Sequence, residues 1–206
     1  MRINKLVVGP VTTNCYIVSN EDTKEAVIID PGAQPDKIMQ KVQDEGVTVK
    51  AILLTHGHFD HISAVNEMKN LCHVKIYIGE EDADLMENTD ENVSAMFGCP
   101  YIARADETLR DGEQLQIAGF SIEVLHTPGH TKGGVCYYFR EEGVMFCGDT
   151  IFCQSVGRTD FPTGNSMTLS ESIKQKIFCL PDDVQLFPGH GESTTVGYEK
   201  KYNLFF

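Results

Sequence analysis

The sequence predicts an α/β (α+β) fold, and three observations predict it. Runs rich in Val, Ile and Tyr, punctuated by Asn, Asp and Gly, alternate along the chain with stretches of helical periodicity. Four apolar runs each end in a tight turn rather than continuing into a helix of their own. No low-complexity tract interrupts the 206 residues, whose 41% hydrophobic content suits one domain over residues 1–206 with a core of its own.

Each element follows from local pattern. Apolar runs at 5–8, 15–18 and 26–29 predict opening antiparallel strands. Residues 34–45 carry Ile38, Met39 and Val42 at helical spacing, with Gly46 placed to cap the end, so a helix is expected there. A strand is expected over 51–54, and a further helix from Asp60, whose side chain would cap it. The acidic stretch 79–98 reads as helical. Strands recur between 114 and 148, an amphipathic helix over Met167 to Phe178, a strand at 184–187, and a last short helix.

Composition excludes several classes. A formal net charge of -13 is opposed to phosphate-backbone binding, so no nucleic-acid partner is expected. No run of about 18 apolar residues suggests a membrane span, and the first residues are too weakly apolar for a signal peptide. A soluble, cytoplasmic protein is expected. Its seven cysteines include no Cys-x-x-Cys pair and read as buried thiols of a reducing compartment.

The chemistry lies at the ends of the four apolar runs. The first leads into Thr55-His56-Gly57-His58-Phe59-Asp60-His61, the second into Thr127-Pro128-Gly129-His130, the third into Gly148-Asp149-Thr150, and the last into Pro188-Gly189-His190-Gly191. Five of the seven histidines sit there, alongside two aspartates, and imidazole and carboxylate are what borderline divalent ions prefer. His56 and His58, two apart on an extended segment, point the same way, and His130 would complete a three-histidine site. Asp60, His61 and His190 would form a second site, with Asp149 bridging the two. Such a pair of ions lowers the pKa of a water between them, so the nucleophile would be metal-bound hydroxide, with proton transfer through Asp60.

The run Thr55 to His61, followed in order by His130, Asp149 and His190, resembles the metallo-β-lactamase superfamily and, within it, the glyoxalase II-like hydrolases. The likeness extends to Thr12-Thr13-Asn14-Cys15-Tyr16, Ile29-Asp30-Pro31-Gly32 and Gly157-Arg158-Thr159-Asp160. It implies an αβ/βα four-layer sandwich with two divalent ions at one edge, zinc foremost and iron or manganese as alternatives. It also implies that Asp30 orients a ligand histidine from behind. True β-lactamases of the superfamily typically carry Cys or Ser in place of the bridging carboxylate, so Asp149 weighs against antibiotic hydrolysis. Glyoxalase II proper has a C-terminal helical domain, whereas here a short tail follows His190; the departure weighs against glutathione thioesters as the natural substrate.

Arg158 is the candidate substrate contact, because glyoxalase II has a Lys at the similar place; the competing role is an ion pair with Asp160. His73 and His126 lack Gly-flanked strand ends and are expected to be structural, and Cys147 and Cys153 are expected to be packed. Met86, Met96 and Phe97 would line the pocket mouth or pack the core. The apolar end Leu204-Phe205-Phe206 would dock on its own body or on a second subunit. The resulting expectation is a hydrolase of a small-molecule thioester or related ester or lactone. The rival is an oxidoreductase resembling persulfide dioxygenases, with one iron held by two histidines and an aspartate; the third is a metal-binding protein without turnover.

Overall fold

The computed structural model describes residues 1–206. The first sheet is built from β1 (Arg2–Val8), β2 (Thr13–Ser19), β3 (Glu25–Ile29), β4 (Thr48–Leu53), β5 (Lys75–Gly79) and β6 (Glu107–Leu109), in that spatial order. Its first three strands pair antiparallel and the rest parallel. The parallel pairs require crossovers, supplied by α1 (Pro35–Glu45), then by α2 (Phe59–Ile62) with α3 (Val65–Cys72), and then by the segment containing α4 (Ala83–Met86).

The second sheet takes β7 (Gln114–Ile117), β8 (Phe120–His126), β9 (Val135–Phe139) and β10 (Val144–Gly148). A small hairpin of β11 (Ile151–Phe152) and β12 (Ser155–Val156) and helix α5 (Ser166–Ser172) follow. Then β13 (Gln185–Pro188) and β14 (Thr194–Thr195) join the second sheet, whose order is β14-β13-β10-β9-β8-β7, and α6 (Val196–Tyr202) follows.

Side-chain alternation along the strands explains the layering. On β2, Tyr16 and Val18 enter the core between the sheets, while Cys15 and Ile17 enter the core under α1 and α3. On β4, Ala51 and Leu53 face the first of these cores and Ile52 the second. In the second sheet, Val135, Tyr137, Phe139, Val144 and Phe146 meet the inter-sheet core, and Cys136, Tyr138, Met145 and Cys147 pack under Leu169, Ile173 and Val196. Strands buried on both faces need a cover on each outer face, and that need gives helix, sheet, sheet, helix. This is the expected four-layer sandwich. No helix is long and apolar enough to cross a membrane.

Several expectations are corrected. Residues 79–98 do not form one helix: a 3-10 turn, Glu80–Asp82, and the single turn α4 are followed by turns. The Asn88 side-chain Oδ1 accepts from the amides of Asp90 and Glu91, and the side chain of buried Asn92 donates to the carbonyls of Met86 and Tyr101. These side chains give the backbone partners other than a helical ladder. Asp60 does not cap its helix; His58 holds that position without a side-chain bond, and Asp60 turns inward. Only Cys15, Cys136 and Cys147 are buried, whereas Cys99, Cys153 and Cys179 are exposed. Met86 is core, and exposed Phe97 stacks on Phe59 with ring centroids 4.7 Å apart. The helix expected to run to Phe178 ends as α5 and continues through a π turn, Ile173–Ile177.

Candidate metal centre

The site forms where strand ends converge. β8 and β10 both run antiparallel to β9, and β13 runs parallel to β10, so the C-terminal ends of β8, β10 and β13 share one edge of the second sheet. His130, Asp149 and His190 leave from those ends. The segment after β4 brings His56, His58, Asp60 and His61 from the first sheet. The turns must be compact. At Gly148 the backbone has φ +47, in the left-handed region, and a Cβ there would lie 2.3 Å from the Thr55 hydroxyl. A Cβ on Gly189 would lie 2.2 Å from Asp149 Oδ1 and 2.6 Å from His61 Cε1. Gly189→Ala should therefore push these side chains apart and lower the bound-metal content of the purified protein, an outcome that elemental analysis reads directly.

All seven predicted side chains lie in one cluster. His56, His58 and His130 form one group, His56, His61 and Asp149 a second, and Asp60, His61 and His190 a third, each with its ligand-type atoms within 4.8 Å of one another. His58 Nδ1 lies 2.9 Å from His130 Nε2. Asp149 stands between the halves: Oδ1 is 3.4 Å from His61 Nε2, while Oδ2 is 3.5 Å from His130 Nε2 and 3.6 Å from His190 Nε2. Asp60 Oδ2 lies 3.2 Å from His190 Nε2 and 3.5 Å from His61 Nε2.

Groups behind the cluster fix the rings. His61 Nδ1 donates to Asp30 Oδ2 at 2.9 Å, and Asp30 in turn accepts from the Thr55 amide at 2.8 Å and hydroxyl at 2.7 Å. His130 Nδ1 donates to the Arg158 carbonyl at 2.7 Å. A carbonyl only accepts, so the proton of His130 sits on Nδ1 and the Nε2 lone pair faces the cluster. Thr13 Oγ1 donates to Asp60 Oδ2 at 2.8 Å, and the Tyr16 hydroxyl and Asn14 amide both hold the Pro188 carbonyl just before His190.

The chemistry of the donor set fits divalent ions. His56 Nε2, His58 Nε2, His61 Nε2 and Asp149 Oδ1 are buried without a hydrogen-bond partner. A buried polar atom without a partner costs about 1–3 kcal/mol, and four in one place are compatible with a stable fold where something else satisfies them. Burial pushes His56 well down and His58 down to about 3, so these rings are neutral and keep their lone pairs. Burial would also lower His61, but the carboxylates of Asp60, Asp149 and Asp30 hold it well above its usual range. Burial opposes ionisation of Asp149, and His61 nonetheless brings it down to about 2.

These directions set a pH dependence for the metal-free protein. His56 and His58 stay neutral in the fold but protonate near 6.5 in the unfolded chain, so they cost stability increasingly as pH falls below 6.5 toward the folded value of about 3. The His61 contribution has the opposite sign: it is complete below 6.5 and is lost as pH rises through its raised folded value. Tm of chelator-treated protein should therefore decline from about pH 6.5 downward; a flat Tm from 6.5 to 4 would contradict the burial of neutral His56 and His58.

Arg158 forms the ion pair expected with Asp160. Its guanidinium makes two 2.7 Å bonds to Asp160 and lies 3.8 Å from the centroid of Phe161. Its side chain also lines a cavity of about 510 Å³ with Val156, Leu169, Ile173, Phe205 and Phe206, to which none of the seven clustered residues contributes. The apolar tail thus packs partly on its own body, with Phe206 against Phe178. His126 bonds the Lys132 carbonyl, and His73 is the left-handed cap of α3; neither enters the cluster. Sequence reasoning missed the Arg158 carbonyl, which has no side-chain signature, and Asp82, one acid in an acidic run, whose carboxylate is buried beside the His56–His58 turn.

A two-sheet sandwich with histidines and aspartates gathered at one edge defines a class. The model of the metallo-β-lactamase superfamily matches residues 8–190, and the chain belongs to that superfamily. It is 39% identical to the hydroxyacylglutathione hydrolase GloC of Haemophilus influenzae, over 100% of this chain and 98% of that protein. Among solved structures, BLEG-1, described as a B3 metallo-β-lactamase, superposes with TM-score 0.95 at 39% identity, covering 99% of both chains. TTHA1623 in a di-iron-bound form superposes with TM-score 0.90 at 35% identity, covering 98% of this chain and 100% of that one.

Proposed function

We propose that this chain is a dinuclear metal-dependent hydrolase that cleaves a small thioester, of the S-2-hydroxyacyl-thiol type, or a related ester. The observation that carries the reading is the position of Asp149, with one oxygen toward His61 and the other toward His130 and His190, between the buried three-histidine group and the partly exposed group of Asp60, His61 and His190. His56, His58 and His130 would hold one ion and Asp60, His61 and His190 the other, with Asp149 reaching both. Divalent ions held there, zinc foremost, would polarise an acyl carbonyl and supply hydroxide from water near neutral pH. The hydroxyacylglutathione hydrolase relative supports the acyl-thioester class.

The chain's own groups have separate tasks in this reading. Asp30 and the Arg158 carbonyl accept from Nδ1 of His61 and His130 and so hold Nε2 of each ring toward the cluster, and no ring must turn when an ion binds. Asp60 lies well below the usual carboxylate range: burial opposes this, and His61 and His190 overcome it. In this reading Asp60 would help to hold an ion and would also carry the proton transfer expected from the sequence. The rings of Phe161, edge-on to His58 at 5.6 Å, and Phe152, edge-on to His190 at 6.1 Å, flank the cluster on either side and would limit the acyl group.

The test combines metal analysis with turnover on S-lactoylglutathione, a simple lactone and a β-lactam. Two redox-inert ions per chain with thioester turnover support the proposal. β-Lactam turnover in preference to the thioester would favour a second reading, to which the likeness to BLEG-1 lends weight despite Asp149. A single iron, no hydrolysis and oxygen uptake on a persulfide would replace hydrolysis with oxygenase chemistry.

A further inference from the structure

The two halves of the cluster come from different sheets. His56 and His58 follow β4 of the first sheet, whereas His130 leads into the loop between β8 and β9 of the second. Ligand atoms 2.9 Å apart across such a seam need a fixed spacer. Packing between the sheets is largely apolar and without direction. At this edge the Val135 amide donates to the Thr55 carbonyl at 2.8 Å and the Tyr137 hydroxyl to the Leu54 carbonyl at 2.7 Å, which fixes the strand ends but not the turns that carry the histidines. Hydrogen bonds to a buried carboxylate can direct those turns.

Asp82 supplies such bonds. It ends the 3-10 turn after β5, and its side chain is fully buried. Its Oδ2 accepts from the amide of Gly57, the residue between His56 and His58, at 3.0 Å, and from the Thr131 hydroxyl, directly after His130, at 2.7 Å. Its Oδ1 accepts from the Gly133 amide at 2.7 Å. One carboxylate is thereby bonded to both ligand-bearing segments. The approach is close on both sides: a Cβ on Gly133 would lie 2.1 Å from the Asp82 amide nitrogen, and one on Gly57 would lie 3.3 Å from the Asp82 carbonyl.

The location of this charge is itself informative. No Lys or Arg pairs with Asp82; its partners are two amides and one hydroxyl. A buried carboxylate without a cation is costly, and its acid form is pushed up by burial against the pull of those bonds. A carboxylate beside the three-histidine group suits a place where positive charge is to be held nearby.

We propose that Asp82 is a positioning residue of the three-histidine group, locking the His56–Gly57–His58 turn to the segment after His130 so that this group is set before an ion arrives. The inference rests on the metal-centre reading and adds to it a residue that touches neither ion nor substrate. In Asp82→Asn, one oxygen becomes an NH₂ group facing a backbone N–H or the Thr131 hydroxyl, so at least one bond is replaced by donor against donor.

The experiment is a chelator competition on fully loaded protein, with released zinc measured for wild type, Asp82→Asn and the control Asp106→Asn. Asp106 also accepts a backbone bond, from Ile76, and pairs with Lys69, but bonds to no residue of the cluster. In Asp82→Asn one of the two ions should be released at about 10–100-fold lower chelator, the usual cost of losing a group behind a metal site, with the other released as in wild type. The metal-free melting temperatures of the two variants give the structural cost separately. Release curves for Asp82→Asn that match Asp106→Asn would overturn the inference, leaving Asp82 a structural tie. Should Asp82→Asn fail to fold, Thr131→Val removes a single donor and should shift the same ion in the same direction; no shift there overturns it too. Wild-type protein that retains no ions would instead overturn the metal-centre reading, a distinguishable failure.

Discussion

Asp149→Ala is expected to abolish turnover while the chain stays folded. The side chain leaves the end of β10 and points into the cluster, so its removal spares the strand pairing of β10 with β9 and β13. What it removes is the contact shared by His61, His130 and His190. One of the two carboxylates within the cluster is lost, leaving five imidazoles and Asp60 to hold two dications. Metal-assisted stabilisation of a reacting carbonyl is worth several kcal/mol, and about 4 kcal/mol corresponds to roughly a thousandfold in rate. The expected result is therefore turnover lower by on the order of a thousandfold or more, and fewer than two ions per chain. A variant that kept both ions and its turnover would remove Asp149 from the mechanism.

The second large effect is on stability. Asp30→Ala removes a buried carboxylate that accepts three bonds at once, from the Thr55 amide, the Thr55 hydroxyl and His61 Nδ1. Those donors would be left in a dry site, and removing one partner of such a buried pair costs about 3–5 kcal/mol. For a chain of this length that is a fall in Tm on the order of 10 °C. The backbone adds to the penalty, since Asp30 has φ 52, a left-handed conformation that Asp and Asn tolerate better than Ala. Asp30→Asn separates the causes: it keeps the shape and the φ preference but loses the charge facing His61. Its Tm should lie between wild type and Asp30→Ala, with metal affinity reduced because His61 loses its orienting acceptor. Equal Tm for Asp30→Ala and wild type would remove both the buried bonds and the left-handed turn of Asp30 from the stability of the fold.

The donor set was legible because its signals are local. Spacing two apart on an extended segment identified His56 and His58, and glycine-flanked strand ends identified His130, Asp149 and His190. The opening strands and α1 were legible for the same reason, since apolar periodicity and the Gly46 cap act within a few residues. The acidic stretch after Gly79 misled because composition resembled a helix while Asn88 and Asn92 redirected the backbone, the latter through a bond to Tyr101. Arg158 was ambiguous for another reason: an ion pair with Asp160 and a ligand contact suit the same guanidinium, and the ion pair is the one visible in the structure.

The sequence by itself determined the opening strands, the helix over Pro35–Glu45, the strand ends that carry the histidines and Asp149, and the residue types available to bind metal. The tertiary structure alone decided how close those residues come, which oxygen of Asp149 faces which half, and that Asp60 points inward instead of capping its helix. The physical reason is range. Periodicity and turn chemistry act over a few residues, whereas the pairs His58 with His130, His61 with Asp30 and Asp82 with Thr131 join distant parts of the chain across two packed sheets. Their distances are set by core packing and directed bonds that no local pattern encodes.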